Sequence, residues 1–241
     1  MAKKINVNNV FDSESMLLSK KSPFSVQEAY KTLRTNVSFS LPGGDCKCIG
    51  IVSAKRSEGK SSVSINLAIS FAQLQKKVIV IDGDMRLPTL AAKLRIATNK
   101  GLSNYLAGNC TEIPVQHIED RNLDIITSGN IPPDSTTLLE SDVMADMIEQ
   151  LKEVYDYIII DLPPLTVVSD AAILSKLIDG YLLVVRHNWS EMSKIDETMR
   201  QLRFADAKVL GFVYNGKSVE SKYYRKRGYY KENYYYYKKS E

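Results

Sequence analysis

The sequence predicts an α/β protein built on a doubly wound, mainly parallel sheet with helices on both faces. Three observations predict it. Short β-branched runs alternate with helical stretches along most of the 241 residues. The runs are almost continuously apolar, as expected of strands covered on both faces rather than one. Three of them run directly into residues suited to phosphate or cation chemistry. Repeated βα alternation gives parallel strands joined by right-handed crossovers, and ligands of such sheets bind at the carboxyl ends of the strands.

Residues 1–22 are polar, mixed in charge and turn-prone, and are expected to form a flexible N-terminal arm. The α/β domain is expected over 23–216. Ser25 to Phe39 places Val26, Ala29, Tyr30, Leu33 and Val37 on a helical stripe, with Ser25 and Glu28 spaced as a capping box. Pro42-Gly43-Gly44 is the expected stop. The strands are Cys48–Ser53, Val78–Asp82, Leu123–Thr127, Tyr157–Asp161, Tyr181–Arg186 and Val209–Tyr214. Helices are expected between them at 60–75, 102–107, 138–153, 170–178 and 191–205. Residues 217–241 form a tyrosine-rich tail that no amphipathic period organises, and it is expected to be disordered.

Composition sets limits on what the chain can be. Hydrophobic content of 44% and charged content of 25% are those of an ordinary soluble domain. The net charge is +4, but the tail alone carries eight basic against three acidic residues, leaving −1 for the rest. A basic tail on a near-neutral body suits phosphate, nucleic acid or an anionic membrane surface. Three cysteines make no disulfide framework, and Cys46-Lys47-Cys48 has no matching Cys/His pair for zinc. The N-terminus lacks the apolar run of a signal peptide, and no window reaches the ~18 apolar residues of a membrane span. A cytoplasmic chain is expected, meeting the inner face of the cell membrane through a partner or the tail.

The run Ala54-Lys55-Arg56-Ser57-Glu58-Gly59-Lys60-Ser61-Ser62 follows the first strand and opens a helix, and it fits the P-loop pattern [AG]-x4-G-K-[ST]. Consecutive backbone N–H groups there, over Ser57, Glu58, Gly59, Lys60, Ser61 and Ser62, cradle phosphates at a helix N-terminus. The Lys60 ammonium reaches the terminal phosphates and the Ser61 hydroxyl suits Mg²⁺. Two further strands end in Asp82-Gly83-Asp84-Met85-Arg86 and Asp161-Leu162-Pro163-Pro164. One such aspartate could simply cap the next loop, but a pair beside a P-loop is what positions Mg²⁺.

These residues resemble the bacterial tyrosine kinases of capsule and exopolysaccharide synthesis, within the deviant-Walker-A group of P-loop NTPases that also holds septum-site and plasmid-partition ATPases. The resemblance rests on Walker A at 54–61, the Asp-x-Asp-x-Arg Walker A′ at 82–86 and the hydrophobic-Asp-x-x-Pro Walker B at 161–164. Ser128-Gly129-Asn130-Ile131-Pro132-Pro133 looks like the family's Gly-x-x-Pro-Pro loop. By that resemblance ATP and Mg²⁺ are the cofactors, and Lys60 binds and polarises the transferred phosphate. Ser61, Asp84 and Asp161 arrange the metal, with Asp84 also catalytic, and Asp82 is the base toward the acceptor phenol. Asn215 matches the position that reads the purine base, although a strand-terminating turn with Gly216 explains it as simply. Glu28, Lys31 and Arg34 match a Glu-x-x-Arg-x-x-Arg assembly motif, with Lys in the middle, and imply a homo-oligomer, possibly a ring. The resemblance further implies a separate transmembrane activator of the chain-length-regulator type and a cognate tyrosine phosphatase. The chain departs from the family in carrying Arg56-Ser57 where Pro-Gly is common.

The tail holds Tyr223, Tyr224, Tyr229, Tyr230, Tyr234, Tyr235, Tyr236 and Tyr237, eight of the chain's 14 tyrosines, and no other aromatic residue. Phosphorylation needs the hydroxyl, whereas stacking on bases would be served as well by Phe or Trp. These tyrosines are therefore the expected phosphoacceptors, and nucleic acid is not the expected partner. The competing reading is a partition-type ATPase switch that positions a partner on membrane or nucleic acid, with Lys55 as its signature lysine reaching across a dimer.

Overall fold

A computed structural model describes residues 17–98, 100–166 and 170–216. Its centre is a seven-stranded sheet with β1 Lys47–Ser53, β2 Val78–Asp82, β3 Gln116–Ile118, β4 Leu123–Ile126, β5 Tyr157–Asp161, β6 Gly180–Arg186 and β7 Val209–Asn215. The strand order is β3-β4-β2-β5-β1-β6-β7. All neighbouring strands pair in parallel except β3 with β4. The chain winds outward from β1 in both directions. Helices α1 Phe24–Ser40, α2 Lys60–Ala72 and α3 Leu90–Leu94 cover one face. Helices α4 Leu102–Leu106, α5 Ser135–Leu139, α6 Asp142–Lys152, α7 Asp170–Ile173 and α8 Met192–Phe204 cover the other. Ile49, Ile51, Ile79, Ile81 and Ile158–Ile160 have no exposed surface, which is why their runs are apolar at every position rather than at alternate ones.

The architecture is the one expected, with local differences. β3 is a three-residue edge strand whose side chains are half-buried or exposed, so it carries no apolar run to announce it. The stretch 138–153 is two helices. Ser141 breaks it by capping α6, its Oγ accepting the Met144 N–H at 3.3 Å. The stretch 170–178 is α7 followed by a short 3₁₀ turn at Leu174–Lys176. The expected capping box of α1 does not form. Pro23 takes the N-cap with φ −52°, Ser25 lies inside the helix, and Glu28 turns to Lys31 at 2.7 Å.

Of the arm expected at 1–22, residues 17–22 are packed on the body. Leu17 and Leu18 are buried, the Leu18 N–H donates to Asn66 Oδ1 at 2.7 Å, and Arg121 Nη1 donates to the Leu18 carbonyl at 3.0 Å. Apolar side chains leave water there and both backbone groups of Leu18 find partners, the condition for a buried segment. Residues 1–16 and the tail at 217–241 lie outside the described residues.

Candidate active site

β2, β5 and β1 are neighbours in the sheet, so three separate stretches of sequence deliver their ends to one place. Asp82 and Asp161 are register partners at the ends of β2 and β5, and β1 feeds the P-loop. Gly59 is the N-cap of α2 at φ 98°, a left-handed conformation that favours glycine. A Cβ on it would lie 2.1 Å from Asn215 Nδ2. The glycine is therefore required twice, by its backbone and by its neighbour. Gly83 is needed for a different reason. Its N–H donates to the Asp161 carbonyl at 2.9 Å, and a Cβ would sit 3.0 Å from that oxygen. A Cβ there would press on the end of β5, and the bare backbone lets the Asp82-Gly83-Asp84 turn lie this close without displacing it.

Lys60, 8% exposed, opens α2 and points its Nζ to within 4.0 Å of Asp84 Oδ2. The carboxylates are crowded and dry. Burial, reinforced by the charge of Asp161, pushes the Asp82 carboxyl up to about 8, against the Leu90 N–H that lowers it. Asp161 is also raised by burial, opposed by Lys60 and by the hydroxyls of Ser61 and Ser64. Asp84 is raised by burial and opposed by Lys60. Asp82 Oδ2 accepts the Leu90 N–H at 3.1 Å and Asp161 Oδ1 accepts from Ser64 at 3.1 Å. Their other oxygens, Asp82 Oδ1 and Asp161 Oδ2, are buried with no hydrogen-bond partner.

Orphaned buried carboxylate oxygens call for a cation or a bridging water, so these residues fit Mg²⁺. Among the described residues no group of three or more His, Cys, Asp or Glu is arranged to hold a metal alone. Mg²⁺ does not require one, since it is commonly held by one or two carboxylates together with substrate phosphates and water.

The structure brings Ser57 to Ser62, Asp82, Asp84, Asp161 and Asn215 together. Asn215 donates its Nδ2 to the Glu58 carbonyl at 2.9 Å. Ser61 and Ser62 receive hydrogen bonds from Thr89 at 2.7 Å and Lys93 at 3.2 Å. The three positions of the assembly motif stand elsewhere, on α1. Arg34 Nη1 donates to the Ser70 carbonyl and to its Oγ at 3.2 Å, which ties α1 to the far end of α2. Ser70 lies ten positions beyond Lys60 in that helix, about 15 Å along its axis. The eight tail tyrosines fall outside the described residues.

Arg86 was legible in the sequence as part of the Walker A′ motif, whereas its partners Asp170 and Thr136 and the residues around the end of β6 were not singled out. Arg86 bonds to the buried Asp170 and, at 3.0 Å, to Thr136, linking the Walker A′ turn to α7 and α5. Trp189, Ser190, Glu191 and Arg186 surround the P-loop from the β6–α8 connection. Their signals were position, at and just after the carboxyl end of β6, and the fact that Trp189 is the only tryptophan in the chain.

A phosphate-cradling turn, a buried lysine and carboxylates on adjacent strand ends define a P-loop nucleotide triphosphatase. In agreement, the family model described as ParA, NUBPL iron-transfer P-loop NTPase, matches residues 46–233. Tyrosine-protein kinase YwqD of Bacillus subtilis is 36% identical over 204 residues, covering 84% of this chain and 85% of its own. The kinase domain of the Escherichia coli tyrosine kinase Etk superposes with a TM-score of 0.78 at 32% identity, over 85% of this chain and 84% of that one. The chain belongs to the bacterial tyrosine-protein kinases within that P-loop family. More distantly, the septum-site-determining protein MinD of Pyrococcus horikoshii, complexed with Mg-ADP, matches with a TM-score of 0.58 at 28% identity, over 72% of each chain.

Proposed function

We propose that this kinase uses Mg-ATP to phosphorylate its own C-terminal tyrosines and serves the regulation of capsule or exopolysaccharide synthesis and export. The observation that carries the reading is the convergence of Lys60, Asp82, Asp84 and Asp161 on neighbouring strand ends beside one P-loop. Phosphoryl transfer needs positioning and charge neutralisation more than covalent chemistry. Lys60 and the loop N–H groups hold the phosphates. Ser61, Asp84 and Asp161 would hold Mg²⁺, which when bound neutralises phosphate charge. Asn215 retains a second N–H and a carbonyl oxygen for the purine base.

Asp82 is the base. A tyrosine hydroxyl with a pKa near ~10 holds its proton at neutral pH, and a carboxyl raised to about 8 is closer in basicity to that phenol than an ordinary aspartate. A bound cation beside it would favour its ionised form, and its orphaned Oδ1 would then accept the proton as the oxygen attacks.

The rest of the reading follows from the family. A separate transmembrane protein of the chain-length-regulator type activates the kinase and holds it at the inner face of the membrane. A tyrosine phosphatase reverses the modification, and Glu28, Lys31 and Arg34 contribute to a homo-oligomer. Among the described residues no helix is long and apolar enough to cross a membrane. The partition-switch reading needs Lys55 to reach a second chain. Here Lys55 Nζ meets Glu191 of its own chain at 2.6 Å, a surface pair of little energetic weight; the kinase reading is favoured by the relatives that match most of the chain.

The test is phosphotyrosine detection and mass spectrometry after incubation with Mg-ATP. The full chain is compared with a chain ending at Gly216, each with and without the activator's cytoplasmic segment. Phosphotyrosine in 217–241 of the full chain is expected. A full chain that hydrolyses ATP yet acquires no phosphotyrosine with the segment present would refute the reading.

A further inference from the structure

Three consecutive peptide planes of the P-loop are held from outside by side chains belonging to other strand ends. The Trp189 indole N–H donates to the Arg56 carbonyl at 3.1 Å. Arg186 Nη1 donates to the Ser57 carbonyl at 2.7 Å, and Asn215 Nδ2 to the Glu58 carbonyl at 2.9 Å. In a planar trans peptide the carbonyl and the next N–H point in opposite directions. Fixing these oxygens therefore fixes the N–H groups of Ser57, Glu58 and Gly59 toward the other side of the loop. Successive N–H groups turned to one side are what an anion-binding concavity consists of.

The loop needs such support. It contains no proline and only the single glycine before Lys60. Ser57, between two of the anchored carbonyls, sits at φ 63°, a conformation a serine keeps only when its surroundings over-determine it. The carboxylate of Glu58, 1% exposed, adds a further tie by accepting the Lys55 N–H at 2.9 Å and the Ser190 hydroxyl. Trp189 is fixed in turn by the cations over its ring, Lys55 at 5.3 Å and Arg186 at 5.6 Å from the centroid.

We infer that the Arg186–Glu191 segment is a buttress that sets the phosphate cradle, with Arg186 and Trp189 as positioning residues for nucleotide binding. A movement of this segment would change the direction of the loop N–H groups without touching Lys60 or the carboxylates. The inference rests on the P-loop reading of 54–62 and not on the identity of the phosphoacceptor.

The test measures Mg-ADP binding to the full chain by titration calorimetry, with no acceptor and no turnover. Trp189→Phe keeps a ring beneath the cations and loses the donor, and Arg186→Met keeps the stem and loses the guanidinium. Each is expected to raise Kd roughly 5- to 10-fold, the worth of one or two hydrogen bonds, with the melting temperature little changed. Arg186→Lys, which keeps a donor, should recover part of the loss. Unchanged Kd in both donor-less variants would overturn the inference. A second readout needs no substitution, because the lone tryptophan reports on the buttress in the native chain. Saturating Mg-ADP should shift or quench Trp189 emission, and an emission spectrum unaffected at saturation would also overturn it. Because ADP binding precedes any choice of acceptor, a failed phosphotyrosine assay would leave this result standing.

Discussion

Asp82→Asn should cost the enzyme its activity and make the nucleotide-free protein more stable, by an amount that depends on pH. The carboxyl is raised from an ordinary 3.8 to about 8 in the folded chain. Between those values the folded state holds a proton that the unfolded state releases. Its stability therefore falls as pH rises through the window and levels off above about 8. Asparagine does not titrate, and its side-chain oxygen can still accept the Leu90 N–H that Asp82 accepts now. The variant's advantage should grow by about 1.4 kcal/mol per pH unit inside the window. From about pH 6 to about pH 8 that amounts to about 2 kcal/mol, allowing for the curvature near the upper end. For a chain of this size the melting-temperature gap should widen by about 4–8 °C. The assay is thermal unfolding of both proteins in EDTA without nucleotide, at several pH values. Metal must be absent, because a bound cation would favour the ionised carboxylate and shrink the gap. A gap that stays constant over this range, or a variant less stable throughout, would refute the reasoning about burial. Phosphotyrosine formation by the variant at the wild-type rate would refute the role of Asp82 as base.

The remaining predictions use other parts of the site. Lys60→Met removes the ammonium facing Asp84 and should abolish phosphotyrosine formation while the circular dichroism spectrum stays native. Gly59→Ala meets both a strained φ of 98° and a clash with Asn215, and should weaken Mg-ADP binding at least tenfold, about 1.4 kcal/mol, by calorimetry. Asp170→Ala leaves the Arg86 guanidinium without its buried partner and should cost ~1.5–3 kcal/mol in denaturant unfolding, the range for hydrogen bonds to charged groups. It should also lower kinase activity by loosening the Walker A′ turn.

How far the sequence could be read depends on whether a feature is local. The sheet was legible because most buried strands are nearly uninterrupted apolar runs, as in Tyr157-Ile158-Ile159-Ile160. The phosphate loop and the aspartates were legible because each lies in a contiguous motif at the end of such a run. β3 was not, because Gln116-His117-Ile118 is a short edge strand that buries none of its side chains fully, and the side-chain contact it makes across the pair, His117 with Asp124 at 2.6 Å, is a surface one. The division of 138–153 depended on one hydroxyl, since Ser141 can cap a helix or ride on its surface, and only the structure distinguishes these. Leu17 and Leu18 sit among polar neighbours with no periodicity. Their burial depends on a backbone bond to Asn66, 48 positions away from Leu18.

The site's outer layer was hidden for the same reason, and Arg34 shows why a motif can be found while its contact stays unknown. Its spacing from Glu28 and Lys31 was evident from the sequence, but its partners here are the carbonyl and the hydroxyl of Ser70 on α2, and the carbonyl leaves no trace in residue identity. The same holds for Trp189 and Arg186, which grip the carbonyls of Arg56 and Ser57. Any residue at 56 or 57 would present the same oxygens, so no residue type at those positions points to its partners. This explains how the loop can carry Arg56-Ser57 without losing its shape. The conformation that a proline or glycine could supply within the loop is imposed here by donors from two other strand ends. Side chains that act on side chains leave motifs in a sequence; side chains that act on backbone become visible only when the fold is known.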